Sequence, residues 1–122
     1  MVNGLKKALL GFHSPSDLSG HADIFEVLDF KVTRTQKPEE MLALARETPY
    51  DWYLMDINLG HTQSDDVSPS AEVYEVVRDR VENGEAKFLA MSYAASTVEA
   101  ATVRGIPAMD KCEFRPDLID GE

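Results

Sequence analysis

The run Tyr50-Asp51-Trp52-Tyr53-Leu54-Met55-Asp56-Ile57-Asn58-Leu59 holds the most informative strand of this chain. Trp52 to Met55 is apolar without interruption and too short for a helix, so it predicts a central parallel strand covered on both faces. The run stops at Asp56, which puts a carboxylate at the strand's carboxyl end.

The segments on either side repeat the pattern of a short apolar strand followed by a helix. Upstream, Ala8 to Phe12 predicts a buried strand, and Ser14-Pro15 predicts a capped helix start with proline in the first helical position. Ile24, Phe25, Val27 and Leu28 give that helix an apolar face, and Lys31 to Thr35 then alternates as an edge strand does. Lys37-Pro38-Glu39-Glu40 opens a second helix, with its acids near the positive end of the helix dipole.

Downstream, His61 to Ser70 is a long polar loop, and Ala71 to Val81 carries the apolar face of a third helix. Tyr74 and Val77 are expected to fill the core beneath it. Ala86 to Met91 predicts a fourth strand ending at Ser92, and Thr97 to Arg104 a short helix that Gly105 terminates. Ile106 to Asp110 predicts a weaker strand, which Pro107 confines to a sheet edge. Few residues remain after Lys111, so a fifth helix is short or missing.

Five strands alternating with helices favour an open parallel sheet with right-handed crossovers. The crevice of such a sheet lies at the carboxyl ends of its strands. Asp56, Ser92 and Lys111 end the third, fourth and fifth strands, so three positions far apart in sequence converge on one edge.

The 122 residues, without linker-like or repetitive segments, are read as one domain over residues 1–122. A hydrophobic fraction of 43% with 28% charged residues fits a globular chain. Twelve basic against 22 acidic residues give a net charge of −10, which disfavours direct nucleic-acid binding and adhesion to anionic membranes. The single cysteine, Cys112, forms no internal disulfide and is expected to be a buried or half-buried small hydrophobe in a reducing, cytoplasmic setting. The apolar runs are too short for membrane insertion. His13, His21 and His61 lack metal-ligand spacing and are assigned surface or capping roles.

Over about residues 6 to 114 the sequence resembles the receiver domain of bacterial response regulators. The resemblance is carried by Tyr50 to Leu59 around the family's phosphoacceptor strand, by Phe88-Leu89-Ala90-Met91-Ser92, and by Met109-Asp110-Lys111. It implies a flavodoxin-like, doubly wound five-stranded parallel sheet of order 2-1-3-4-5. It also implies phosphorelay signal transduction, in which Asp56 takes a phosphoryl group from a histidine kinase or phosphotransfer protein and a downstream protein partner reads the result. The chain is then a signalling protein and not an enzyme. Ser92 is expected to donate its hydroxyl to a phosphoryl oxygen and Lys111 to set an ammonium beside it. Asp56 and the backbone carbonyl of Asn58 are the implied magnesium contacts.

The sequence departs from the family where two acids ordinarily follow the first strand, for Phe12 and His13 stand there. Magnesium binds through carboxylates and water, so impaired magnesium-dependent chemistry is expected. Asp65 and Asp66, in the long loop, are read as solvated acids and not as ligands. Ala108 takes the position of the family's aromatic switch residue.

These departures motivate an alternative, a phosphorylation-independent pseudo-receiver acting as a protein-interaction module. Simpler roles also stay open. Asp56 and Ser92 can cap turns, and Lys111 can pair permanently with Asp56. A flavin or nucleotide carrier is disfavoured, because Phe12 to Ser16 is not a glycine-rich phosphate loop.

Overall fold

The structure, a computed structural model, describes residues 6–60 and 66–120. Five parallel strands form one sheet in the order β2-β1-β3-β4-β5. They are β1 (Lys6–Gly11), β2 (Phe30–Thr35), β3 (Trp52–Asp56), β4 (Lys87–Ser92) and β5 (Ala108–Asp110). Between them run α1 (Pro15–Val27), α2 (Pro38–Glu47), α3 (Ser68–Glu82) and α4 (Ala95–Val103). After β5 come a 3₁₀ turn at Lys111–Glu113 and a single helical turn, α5 (Asp117–Asp120). The last helix is therefore short, as expected. No helix among the described residues is long and apolar enough to cross a membrane.

Strand alternation divides the core between the two faces of the sheet. Leu9, Tyr53, Met55, Phe88 and Ala90 point to the side of Met41 (α2), Val73 and Val77 (α3) and Ala101 (α4). Ala8, Leu10, Trp52 and Leu54 point to the side of Leu18, Ala22 and Phe25 (α1) and Ile119 (α5). All five residues of β3 are buried, as a strand covered on both faces requires. Asp56 is thus carried to the edge of the sheet by a segment that cannot shift without exposing both cores. Val77 is buried and Tyr74 packs its ring on Phe88 at 5.1 Å, so both serve the core beneath α3.

Local chemistry explains the ends of the elements. Ser14 caps α1, accepting the Asp17 backbone N–H at 3.4 Å, and Pro15 supplies a preset φ in the first turn. Asp66 accepts the backbone N–H of Ser68 at 3.0 Å and so holds the start of α3; it has no place among the residues lining the cleft at Asp56. Asp65 and His61 lie outside the described residues. Two glycines meet steric demands around the first and third strand ends. At Gly11 a Cβ would sit 2.7 Å from Met41 Sδ, and Gly60 combines a φ of +80° with an approach of 2.5 Å to Pro38 Cδ.

Two expectations need correction. Cys112 is exposed, not buried: Asp110 caps the 3₁₀ turn by accepting the Cys112 backbone N–H at 2.8 Å, and the thiol side of that turn faces solvent. His21 is not confined to a surface or capping role. Its ring stacks on Phe12 at 4.7 Å and meets Phe114 at 5.4 Å, while its Nδ1 donates to the Asp17 carbonyl at 2.7 Å. The His13 side chain is exposed, as expected.

Candidate functional site

Asp56, Ser92 and Lys111 meet in one cleft at the carboxyl edge of the sheet. Its volume is about 480 Å³, and its lining includes His13, Asp17, Asn58 and Tyr93 beside the three predicted residues. A cavity of about 590 Å³ between α3 and the segment after α4 is larger, but its lining is exposed helix side chains such as Glu72, Glu75 and Arg78. The smaller cleft is where sheet topology brings titratable groups together.

Asp56 is buried, with its carboxylate satisfied on both oxygens. Oδ1 lies 2.6 Å from Lys111 Nζ, and Oδ2 accepts the His13 backbone N–H at 2.7 Å. Both side chains of the Asp56–Lys111 pair are less than a tenth exposed, so water screens the pair weakly. Lys111 is the first residue of the 3₁₀ turn that follows β5, and the turn directs its side chain back over the sheet edge.

A second carboxylate holds the same ammonium. Asp17 Oδ2 lies 2.8 Å from Lys111 Nζ, and the Asp17 side chain is 19% exposed. Two carboxylates therefore share one cation. The ammonium also lies 5.3 Å from the centre of the Phe12 ring and 4.9 Å from that of Tyr93, distances at which ring faces attract cations. Burial works against the charge on Lys111, but the hydrogen bonds and charges of Asp17 and Asp56 outweigh it and hold its pKa above the ordinary 10.5.

Ser92 Oγ accepts the backbone N–H of Ala94 at 3.0 Å. The turn-capping role is thus realised, and it uses a lone pair, which leaves the hydroxyl hydrogen to donate elsewhere. Asn58 lines the cleft two residues beyond Asp56.

Asp17, Tyr93 and Ala94 line the cleft without having been singled out by sequence patterning. A signal for Asp17 exists: it sits in the first turn of α1, and that helix start follows β1 on the edge where the strands end. Tyr93 directly follows Ser92, so its place at the cleft was readable, but not the direction of its ring. The His13 contact is made by a backbone N–H, on which side-chain chemistry is silent.

Among the described residues the donor set for a magnesium ion is sparse, with Asp17 and Asp56 as the cleft's carboxylates. Among the described residues no group of three or more His, Cys, Asp and Glu side chains is placed to hold a metal. After β1, Phe12 is fully buried in the core on the α1 side and His13 contributes its backbone, so neither adds a carboxylate to the cleft. Among the described residues, the carboxylates that reach the cleft, Asp17 and Asp56, close on Lys111.

The architecture is that of response regulator receiver domains. Neither a protein-family model nor a curated protein sequence matches the chain. Among solved structures, a CheY-like receiver domain from Methylobacillus flagellatus aligns with a TM-score of 0.68 at 21% identity, covering 98% of this chain and 100% of its own. The receiver domain of the sensor histidine kinase PA1611 from Pseudomonas aeruginosa, solved with a magnesium ion in its active-site cleft, gives 0.69 at 16% identity over 96% of this chain and 93% of its own. The chemotaxis response regulator CheY4 of Vibrio cholerae gives 0.67 at 18% identity, covering 93% and 92%. The chain therefore has the CheY-like receiver fold, with the flavodoxin-like strand order 2-1-3-4-5.

Proposed function

We propose that this chain is a receiver in phosphorelay signalling that accepts a phosphoryl group on Asp56 from a phosphohistidine of a histidine kinase or phosphotransfer protein, and that it acts through a protein partner and not as an enzyme on small molecules. The observation that carries this reading is the Asp56–Lys111 contact of 2.6 Å in a cleft that also contains Ser92. A carboxylate oxygen of Asp56 attacks phosphorus, the P–N bond to the imidazole breaks, and an acyl phosphate forms while the leaving nitrogen keeps its electron pair. Such transfers depend on positioning and charge neutralisation more than on covalent help from the protein. Lys111 supplies the positive charge, the His13 N–H fixes the carboxylate, and Ser92 offers its hydroxyl hydrogen to a phosphoryl oxygen. The negative surface and the single exposed thiol suit a cytoplasmic protein that meets other proteins and not nucleic acid or membrane.

In the Pseudomonas neighbour the cleft holds magnesium. Here Lys111, shared by two carboxylates, stands for part of that charge, and magnesium-dependent chemistry is weakened accordingly. The same sharing supports a second reading, an interaction module whose pocket is self-neutralised and whose output ignores phosphate.

Acetyl phosphate supplied with and without magnesium separates the two. The first reading predicts one added phosphoryl group in the intact mass of the wild type and none in Asp56→Asn. No added group under either condition, with partner binding unchanged in Asp56→Asn, supports the interaction module and overturns the first reading.

A further inference from the structure

We infer that Tyr93 reports the charge at Asp56 to the protein surface, through Lys111 and Asp17. Tyr93 is 62% exposed and sits where β4 leads into α4. Its hydroxyl donates to Asp17 Oδ1 at 3.4 Å, and its ring centre lies 4.9 Å from Lys111 Nζ. Lys111 bonds Asp17 at 2.8 Å and Asp56 at 2.6 Å. The four side chains thus form one chain of contacts that begins at a buried carboxylate and ends at an exposed aromatic ring.

The ammonium is the movable member of this chain. It is attracted by two carboxylates at once, so its position depends on the difference between their charges. Added negative charge at Asp56 draws it away from Asp17 and from the Tyr93 ring. Removing the charge at Asp56 releases it toward them. Tyr93 is held by Asp17 and by Lys111, so either displacement changes both of its contacts. The Asp17 carboxylate also raises the Tyr93 pKa above the ordinary 10.0, against a smaller opposing effect of Lys111, so the phenol senses both partners. The signal to be carried is the one proposed above for Asp56, but the coupling itself needs only the charges and no phosphate. Because Ser92 precedes Tyr93 and braces Ala94 by the 3.0 Å bond, a moved ring alters the surface at the start of α4.

The test uses the ring ¹H–¹³C cross-peak of Tyr93 at neutral pH, assigned by its loss in Tyr93→Phe. Asp56→Asn is expected to displace that cross-peak in the wild-type background and to leave it in place in a Lys111→Met background. The Tyr50 and Tyr53 signals, unmoved, report that the fold is kept. If Lys111→Met does not fold, Asp17→Asn serves as the background and is expected to shrink the displacement by at least half. An unmoved cross-peak in the wild-type background overturns the inference, as does an equal displacement in both backgrounds. No phosphoryl donor enters this experiment, so failure of phosphorylation at Asp56 and failure of the coupling are separate results.

Discussion

Lys111→Met removes the cation that two carboxylates share while keeping a chain of similar length in the cleft. The Lys111 and Asp56 side chains are 8% and 9% exposed, so this is a buried pair, and the Asp17 carboxylate loses its 2.8 Å partner in the same change. Breaking a buried ion pair from one side costs about 3–5 kcal/mol, because the remaining charge is left without compensation. Here two carboxylates are left facing one another, which places the cost at the upper end of that range. For a domain of this size the loss corresponds to a fall in Tm of roughly 10–20 °C. The assay is reversible thermal or urea unfolding at pH 7, with Asp56→Asn added to the Lys111→Met background. Neutralising one carboxylate there is expected to restore about 1–3 kcal/mol, a coupling that distant sites do not show. A loss below about 1 kcal/mol for Lys111→Met, the size seen for exposed pairs, refutes the geometry of a buried and shared ammonium.

Alkaline pH provides a second handle. The Lys111 pKa is higher folded than its ordinary 10.5, so the stabilisation it brings is complete below that pH and is lost as pH rises through the folded value. The stability gap between wild type and Lys111→Met, followed by melts from pH 8 upward, is expected to stay level to about 10.5 and then to narrow. Tyr53→Phe tests the opposite end of the sheet: the Tyr53 hydroxyl receives Arg80 Nη1 at 2.8 Å and the Tyr50 backbone N–H at 3.0 Å, so its loss leaves two donors unanswered. A cost of about 1–3 kcal/mol is expected by urea unfolding. Gly11→Ala puts a Cβ 2.7 Å from Met41 Sδ and 3.0 Å from Leu59 Cδ2, and overpacking of this kind costs about 1–3 kcal/mol in a thermal melt.

The sequence showed what depends on repeating pattern. Trp52 to Met55 announced a strand buried on both faces and Ser14-Pro15 a capped helix, and both lie where their pattern put them; the last strand is at the sheet edge as Pro107 suggested, but it begins only at Ala108, after the proline. The convergence of Asp56, Ser92 and Lys111 followed from topology, since parallel strands bring their ends to one edge. The direction in which single side chains turn is set by tertiary packing, and there pattern failed. Asp17 shows no periodicity that marks it as a cleft acid rather than an ordinary first-turn acid. Cys112 looked like a small hydrophobe until the Asp110 cap turned it outward. His21 was hidden for the same reason, because the rings of Phe12 and Phe114 reach it from distant parts of the chain.

Whether Asp56 is a working phosphoacceptor is tested most directly by titrating the protein with beryllofluoride, a phosphoryl mimic, while following backbone amide signals. Shifts confined to the cleft, at His13, Asp56, Asn58, Ser92, Tyr93 and Lys111, are expected, and none of them in Asp56→Asn. Unmoved amides at saturating beryllofluoride, or shifts that persist in Asp56→Asn, contradict the phosphoacceptor role.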